Sequence, residues 1–185
     1  MTALALFPAG CRRPGPVVPS TRAVTQPSGH ATAYSNPRFG VGLTYPAQWT
    51  TRPSNNFVLL LVPAGASQTP DVSISLDIPD LPPHFPGLIP IGAVKNGYLE
   101  DLRKQVGQLD TQELTPPSIP DANARLLRST WQTAGRTMSQ TTLLMTHDDR
   151  VYILRATADS AHREQTESAL DKIIHSLTWK PRDEK

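Results

Sequence analysis

From Tyr34 onward the chain alternates apolar and polar side chains in short bursts. In RFGVGLTYP, Phe39, Val41, Leu43 and Tyr45 share one side of an extended strand, Gly40, Gly42 and Thr44 share the other, and Pro46 stops the ladder. The two glycines leave room on that side for another segment to approach closely. FVLLLV at 57–62 is a continuous apolar run of strand length, and DVSISLDI places Val72, Ile74, Leu76 and Ile78 at period two. The period then changes. In GAVKNGYLEDLRKQVG, Val94, Leu99, Leu102 and Val106 fall on one helical face with Tyr98 beside them, and Gly107 ends the segment.

Beyond a short strand at QELT, ARLLRSTWQ and MSQTTLLMTH read as two hairpin arms joined by TAGRT, with Gly135 as the turn residue. HDDR at 147–150 joins the second arm to VYILRATA; Asp148 and Asp149 suit a tight turn, because their short polar side chains bond local backbone and tolerate positive φ. AHREQTESALDKIIHSL carries Ala169, Leu170, Ile173, Ile174 and Leu177 on one stripe, with Asp159 or Ser160 as the expected N-cap. The order is three strands, a helix, at least three strands in an antiparallel meander, and a helix. Strand and helix do not alternate as a parallel sheet requires. The pattern predicts an α+β fold with a central, mostly antiparallel sheet and helices covering its faces.

Two stretches resemble a known family. FGVGLTYPAQW, an alternating strand closed by proline and followed by Trp49, is similar to the opening of PsbP-like domains, the α/β/α sandwich that photosystem extrinsic subunits share with a Ran-GTPase release factor. TTLLMTHDDRVYILRATADSAHREQTESALDKIIHSLTW resembles the closing hairpin, final helix and aromatic-ended terminal segment of the same family. The likeness spans roughly Tyr34 to Trp179. It implies an α/β/α sandwich with a sheet of about six or seven strands and two main helices, over a domain at 33–180 followed by a charged tail at 181–185. Because many bacterial relatives are short lipoproteins, it also implies an envelope protein. It assigns no metal, cofactor or partner contact to any position here.

Composition narrows the function classes. The 185 residues carry 18 basic and 16 acidic side chains, a surplus of +2 that is too small to predict nucleic-acid binding. The distribution says more, since no Asp or Glu precedes Asp71 while Arg12, Arg13, Arg22, Arg38 and Arg52 all do. The single cysteine, Cys11, excludes an intramolecular disulfide and a cysteine-rich zinc site. No cofactor is expected.

The candidate chemistry is sparse. None of His30, His84, His147, His162 and His175 is paired at the spacing of a helical metal site. His147, Asp148 and Asp149 are contiguous at a hairpin tip and cannot all converge on one ion. GAVKNGYL lacks the lysine of a phosphate loop, having Tyr98 after Gly97, and no Gly-x-Ser-x-Gly elbow occurs. Glu100 with Asp101, and Glu164 with Glu167, lie on helices beside basic residues, the pattern of solvated faces. Trp49, Trp131 and Trp179 end or interrupt apolar strands and read as core or rim packing. The loop PDLPPHFPGLIPI combines prolines with large apolar side chains; it either caps the core or presents His84, Phe85 and Leu88 to a partner.

The N-terminus carries the best functional clue. ALALFPAGC resembles a lipobox, with Ala9 and Gly10 before a cysteine whose sulfur would take a diacylglycerol. Pro8 stands where the pattern prefers leucine, and Arg12 and Arg13 follow the apolar run instead of preceding it. The following stretch, RRPGPVVPSTRAVTQPSGHAT at 12–32, has neither helical nor strand periodicity, and its prolines make it a stiff linker. Residues 1–11 are therefore expected to act as a truncated lipoprotein signal. The leading expectation is a non-catalytic, extracytoplasmic interaction or assembly module, anchored in the envelope membrane through Cys11 and binding a protein partner. A cytoplasmic protein-binding domain of the same fold is the alternative, and a small ligand-binding enzyme with its pocket under the proline-rich loop is a third.

Overall fold

The computed structural model describes residues 31–66, 72–80 and 90–180. Five strands precede the first helix: β1 (Thr32–Asn36), β2 (Val41–Tyr45), β3 (Trp49–Thr51), β4 (Leu59–Pro63) and β5 (Ser73–Asp77). Helix α1 (Ile91–Val106) leads to β6 (Asp110–Leu114), then to the long arms β7 (Asn123–Thr133), β8 (Arg136–His147) and β9 (Arg150–Asp159). Helix α2 (Arg163–His175) and β10 (Thr178–Trp179) finish the chain. A seven-stranded sheet runs in the order β3-β4-β5-β9-β8-β7-β6 and a three-stranded sheet in the order β1-β2-β10, with every pairing antiparallel. The α+β expectation holds, and the larger sheet has the expected strand number.

The two helices lie on opposite faces of the large sheet, and neighbouring residues of β8 show it. Gln140 and Thr142 bond the hydroxyl of Tyr98 in α1, while Thr141 between them bonds Glu167 in α2. Successive side chains of a strand point to opposite faces, so the sheet is the middle layer.

The main core lies on the α2 side. Ile74 and Leu76 of β5, Leu143 and Met145 of β8, and Tyr152, Leu154 and Ala156 of β9 meet Ala169, Leu170, Ile173 and Ile174 of α2. The small sheet closes this layer with Val41, Leu43 and Tyr45 of β2. The α1 side is more polar. Only Leu102 of α1 is buried, and it sits over a sheet surface that includes the buried Ser129, Gln140 and Thr142.

Two local expectations are met in detail. A Cβ on Gly42 would stand 2.7 Å from Thr178 Oγ1, so the close approach is made by the side chain of Thr178, which pairs directly opposite Gly42 where β10 runs beside β2. Ala134 and Gly135, with φ of 48° and 74°, form the tight connection between β7 and β8, the backbone that a two-residue hairpin turn demands. Two others are corrected. The strand in RFGVGLTYP is confined to Val41–Tyr45, because Phe39 and Gly40 belong to the turn after β1. Neither Asp159 nor Ser160 caps α2. Asp159 is still the last residue of β9, and His162 takes the cap position without a side-chain cap; the Asp159 carboxylate instead accepts from the His162 backbone N–H at 3.0 Å and pairs with its ring at 2.7 Å.

Candidate binding cleft

The α2 face of the large sheet is wider than what covers it. Helix α2 packs on β9, β2 and β5, leaving the β6–β7 flank open. On that flank one transverse row of the ladder reads Leu114, Leu126, Leu143 from β6 through β7 to β8, and Leu143 is fully buried while Leu126 and Leu114 are half-buried. After Leu114 the chain turns away as Thr115-Pro116-Pro117, and prolines without N–H groups cannot extend the strand. The result is a cleft of about 350 Å³ between α2 and the β6–β7 flank. Leu114, Pro116, Pro117 and Leu126 form one wall, and Leu170 and Ile174 of α2 the other.

Polar groups gather at one place in this cleft. The next ladder row carries Gln112, Arg128 and Thr141. The Arg128 guanidinium meets the Glu167 carboxylate in a two-point fork, Nε to Oε1 at 2.9 Å and Nη2 to Oε2 at 3.0 Å. Thr141 Oγ1 donates to the same Oε1 at 2.8 Å. Three donors thus converge on one carboxylate, whose capacity is about four hydrogen bonds. Asp171, exposed, stands at the edge of the cleft. The reading of Glu164 and Glu167 as one solvated face is therefore corrected for Glu167, which is half-buried and bound to the sheet, whereas Glu164 is exposed. Glu100 and Asp101 are exposed as expected, sharing Lys104.

Arg128 was not singled out in the sequence and Glu167 was read there as solvent-facing, yet both leave a trace of their true place. Arg128 shares the parity of Leu126 along β7, a charge placed on an apolar face. Glu167 precedes Leu170 and Ile174 by three and seven residues, an acid on the apolar stripe of a helix. Each alone costs burial of a charge, and together they pair.

Cys11, His84, Phe85 and Leu88, the residues proposed for lipidation and partner contact, lie outside the described residues. His147 is where the hairpin reading puts it, at the end of β8, with Asp148 in the turn at φ 52°. Its ring stacks on Trp179 at 4.0 Å and its Nδ1 faces the Asp121 carbonyl at 2.8 Å, which ties β10 and the Pro120–Asp121 turn to the hairpin end. Trp179 adds Nε1–H to the Pro120 carbonyl at 2.8 Å. Trp49 is a core residue and Trp131 is half-buried. Among the described residues no three His, Cys, Asp or Glu side chains come together as a metal site, and no helix is long and apolar enough to cross a membrane.

Comparison with known proteins places this geometry. The profile of the family described as DcrB matches residues 42–176, which runs from β2 to the residue after α2. The chain belongs to the DcrB family. Among solved structures, this DcrB-family chain is similar to cyanobacterial PsbP (CyanoP) from Synechocystis, with a TM-score of 0.54 at 13% identity over 88% of this chain and 98% of that one. It is also similar to LpqN of Mycobacterium tuberculosis, described as involved in cell envelope biogenesis, with a TM-score of 0.50 at 16% identity over 84% and 87% of the two chains. These likenesses are of fold, and they bear out the PsbP-like resemblance seen in the sequence. No curated protein matches the sequence.

Proposed function

We propose that this DcrB-family chain is a non-catalytic interaction module of the cell envelope, tethered to a membrane through Cys11, and that the cleft between α2 and the β6–β7 flank is its binding site. The observation that carries the reading is the internal closure of the cleft's polar set. Glu167, the one carboxylate deep in the cleft, accepts from Arg128 twice and from Thr141 once. A carboxylate so engaged holds a position and is poorly placed to take a proton from a substrate, because general base work needs a lone pair aimed at the reacting group. Apolar walls with few convergent polar groups suit binding and orientation. Placement at the envelope is supported by the lipobox-like ALALFPAGC with its proline-rich linker, and by the described role of LpqN in envelope biogenesis.

Two measurements on the full chain in its host test this. Cys11→Ser should move the protein from the membrane fraction to the soluble fraction, and an unmodified N-terminus in the native protein would sink the tether. A photo-crosslinking residue at Thr115, on the exposed rim, should trap a bound species that the same residue placed at the exposed Asp101 does not. Equal labelling from both positions would remove the cleft from the account.

A further inference from the structure

The chemistry of the cleft narrows what it can hold, on the reading that it is the binding site. Its walls are hydrocarbon from Leu114, Leu126, Leu170 and Ile174 together with prolines, so most of the occupant is apolar. At its polar end Arg128 uses Nε and one Nη2 hydrogen on Glu167, while Nη1 has no hydrogen-bond partner among the described residues. A guanidinium has donors and no acceptor, so what it selects is an oxygen with lone pairs. The charge of that oxygen is set by its neighbours. Arg128 is already paired with the Glu167 carboxylate, which stays beside it at this end, while Asp171 is exposed at the edge and lies 3.4 Å from His175 Nδ1. A carboxylate or phosphate head drawn to Arg128 would face the Glu167 carboxylate already bound there, whereas a neutral carbonyl would meet the Nη1 donor without that repulsion.

We propose that the cleft receives the acyl chain of a neutral ester lipid, with its carbonyl oxygen accepting from Nη1 of Arg128. A cleft of about 350 Å³ takes one such chain in part and leaves the headgroup at the mouth beside Asp171. The Nη1 donor and the Glu167 carboxylate beside it are the two observations that separate this occupant from a plain hydrocarbon and from a fatty-acid anion.

The test uses the full chain and three probes below their critical micelle concentrations: monolauroylglycerol, the dodecylglycerol ether that lacks the carbonyl, and laurate. Titrations followed by methyl NMR should show monolauroylglycerol shifting the methyls of Leu114, Leu126, Leu170 and Ile174. The ether should bind about tenfold more weakly, the value of one hydrogen bond to a charged donor. Laurate should also bind more weakly than the ester. Leu126→Trp, which fills the cleft from a half-buried position, should abolish the shifts while leaving the unfolding midpoint near wild type. In Arg128→Lys, which retains the charge and loses the fork, the ester and the ether should bind alike. Equal binding of ester and ether to the wild-type chain, tighter binding of laurate, or shifts at other methyls would each overturn the proposal. So would the absence of any shift up to the solubility limit. If Thr115 crosslinks a partner in the host while no probe binds, the cleft remains a binding site and only the lipid class falls.

Discussion

Arg128 on β7 and Glu167 on α2 are joined by two parallel hydrogen bonds of 2.9 and 3.0 Å, 39 residues apart in sequence. This fork ties α2 to the large sheet beside the open flank. The side chains are 33% and 24% exposed, so solvent screens part of the interaction. Charge-assisted bonds of this geometry are strong for their class, and removing one partner leaves the other short of its bonds. Arg128→Ala and Glu167→Ala should each lower stability by about 1–2 kcal/mol, and a double-mutant cycle in urea should give a coupling of about 1 kcal/mol. A coupling near zero would mean that the pair does not hold the helix.

Gly42 faces a different constraint. Its backbone is ordinary for a strand, but a Cβ there would lie 2.7 Å from Thr178 Oγ1 and 3.2 Å from Lys180 Cε. Gly42→Ala should therefore displace β10 and destabilise by about 1–3 kcal/mol, the range for overpacking. Gly42→Ala combined with Thr178→Ala removes the nearer obstacle and should recover part of the loss. Thermal unfolding of the two variants beside the wild type reads this directly, and a double variant no better than the single one would place the cost elsewhere.

The turn between β7 and β8 can be improved. Ala134 sits at φ 48°, a region that costs an ordinary L-residue about 1 kcal/mol and that asparagine tolerates better. Ala134→Asn should raise stability by about 0.5–1 kcal/mol. No rise in the urea midpoint would show that the turn is already relaxed by its surroundings.

How much of this was legible follows from distance along the chain. Strand β5, the long arms β7, β8 and β9 and both helices were readable because each carries its own local pattern, as in DVSISLDI for β5 or the Leu170, Ile173, Ile174 stripe for α2. Three short strands were not. β1 is five residues, β3 three and β10 two, and Thr178 is extended because Gly42, far away in sequence, offers it an edge. The cleft was hidden for the same reason. It exists because α2 covers β9 and β5 and stops short of β6, a fact about how wide the sheet is rather than about any segment in it. Only the parity of Arg128 and the stripe position of Glu167 hinted that two half-buried charges needed each other.

The two helices should differ in local stability. α2 buries Thr166, Ala169, Leu170, Ile173 and Ile174, whereas α1 buries Leu102 alone. α1 is held in addition by Tyr98 on the sheet and by Lys95, whose ammonium reaches Glu113 of β6 at 2.9 Å and keeps that carboxyl below its ordinary value. Native-state hydrogen exchange should show α1 amides opening well below the global unfolding free energy and the central amides of α2 close to it. Ile173→Ala should cost about 2–5 kcal/mol in global stability. Equal protection of the two helices would contradict this ranking.

Tyr98 links the polar side of the sheet to alkaline pH. Its hydroxyl donates to Gln140 Oε1 and lies 2.9 Å from Thr142 Oγ1, and Gln140 passes the chain on to Thr157 at 2.8 Å. Burial between α1 and the sheet raises its pKa above the ordinary 10.0, an effect that the Thr142 bond and the nearby Arg155 charge only partly offset. Tyr34 and Tyr45 are raised too, again chiefly by burial. With a folded pKa above the unfolded one, the unfolded chain loses its proton first. The contribution is then complete below pH 10.0 and declines as pH rises toward the folded value. Phenolate absorbance should accordingly lag behind that of the denatured chain, and urea stability should fall steadily above pH 10.0. Tyr98→Phe should cost about 1–2 kcal/mol at neutral pH, because Gln140 loses its donor, and should flatten the alkaline decline by the share of one proton. An unchanged slope in that variant would mean that Tyr98 ionises with the solvent-exposed value and that α1 does not shield it.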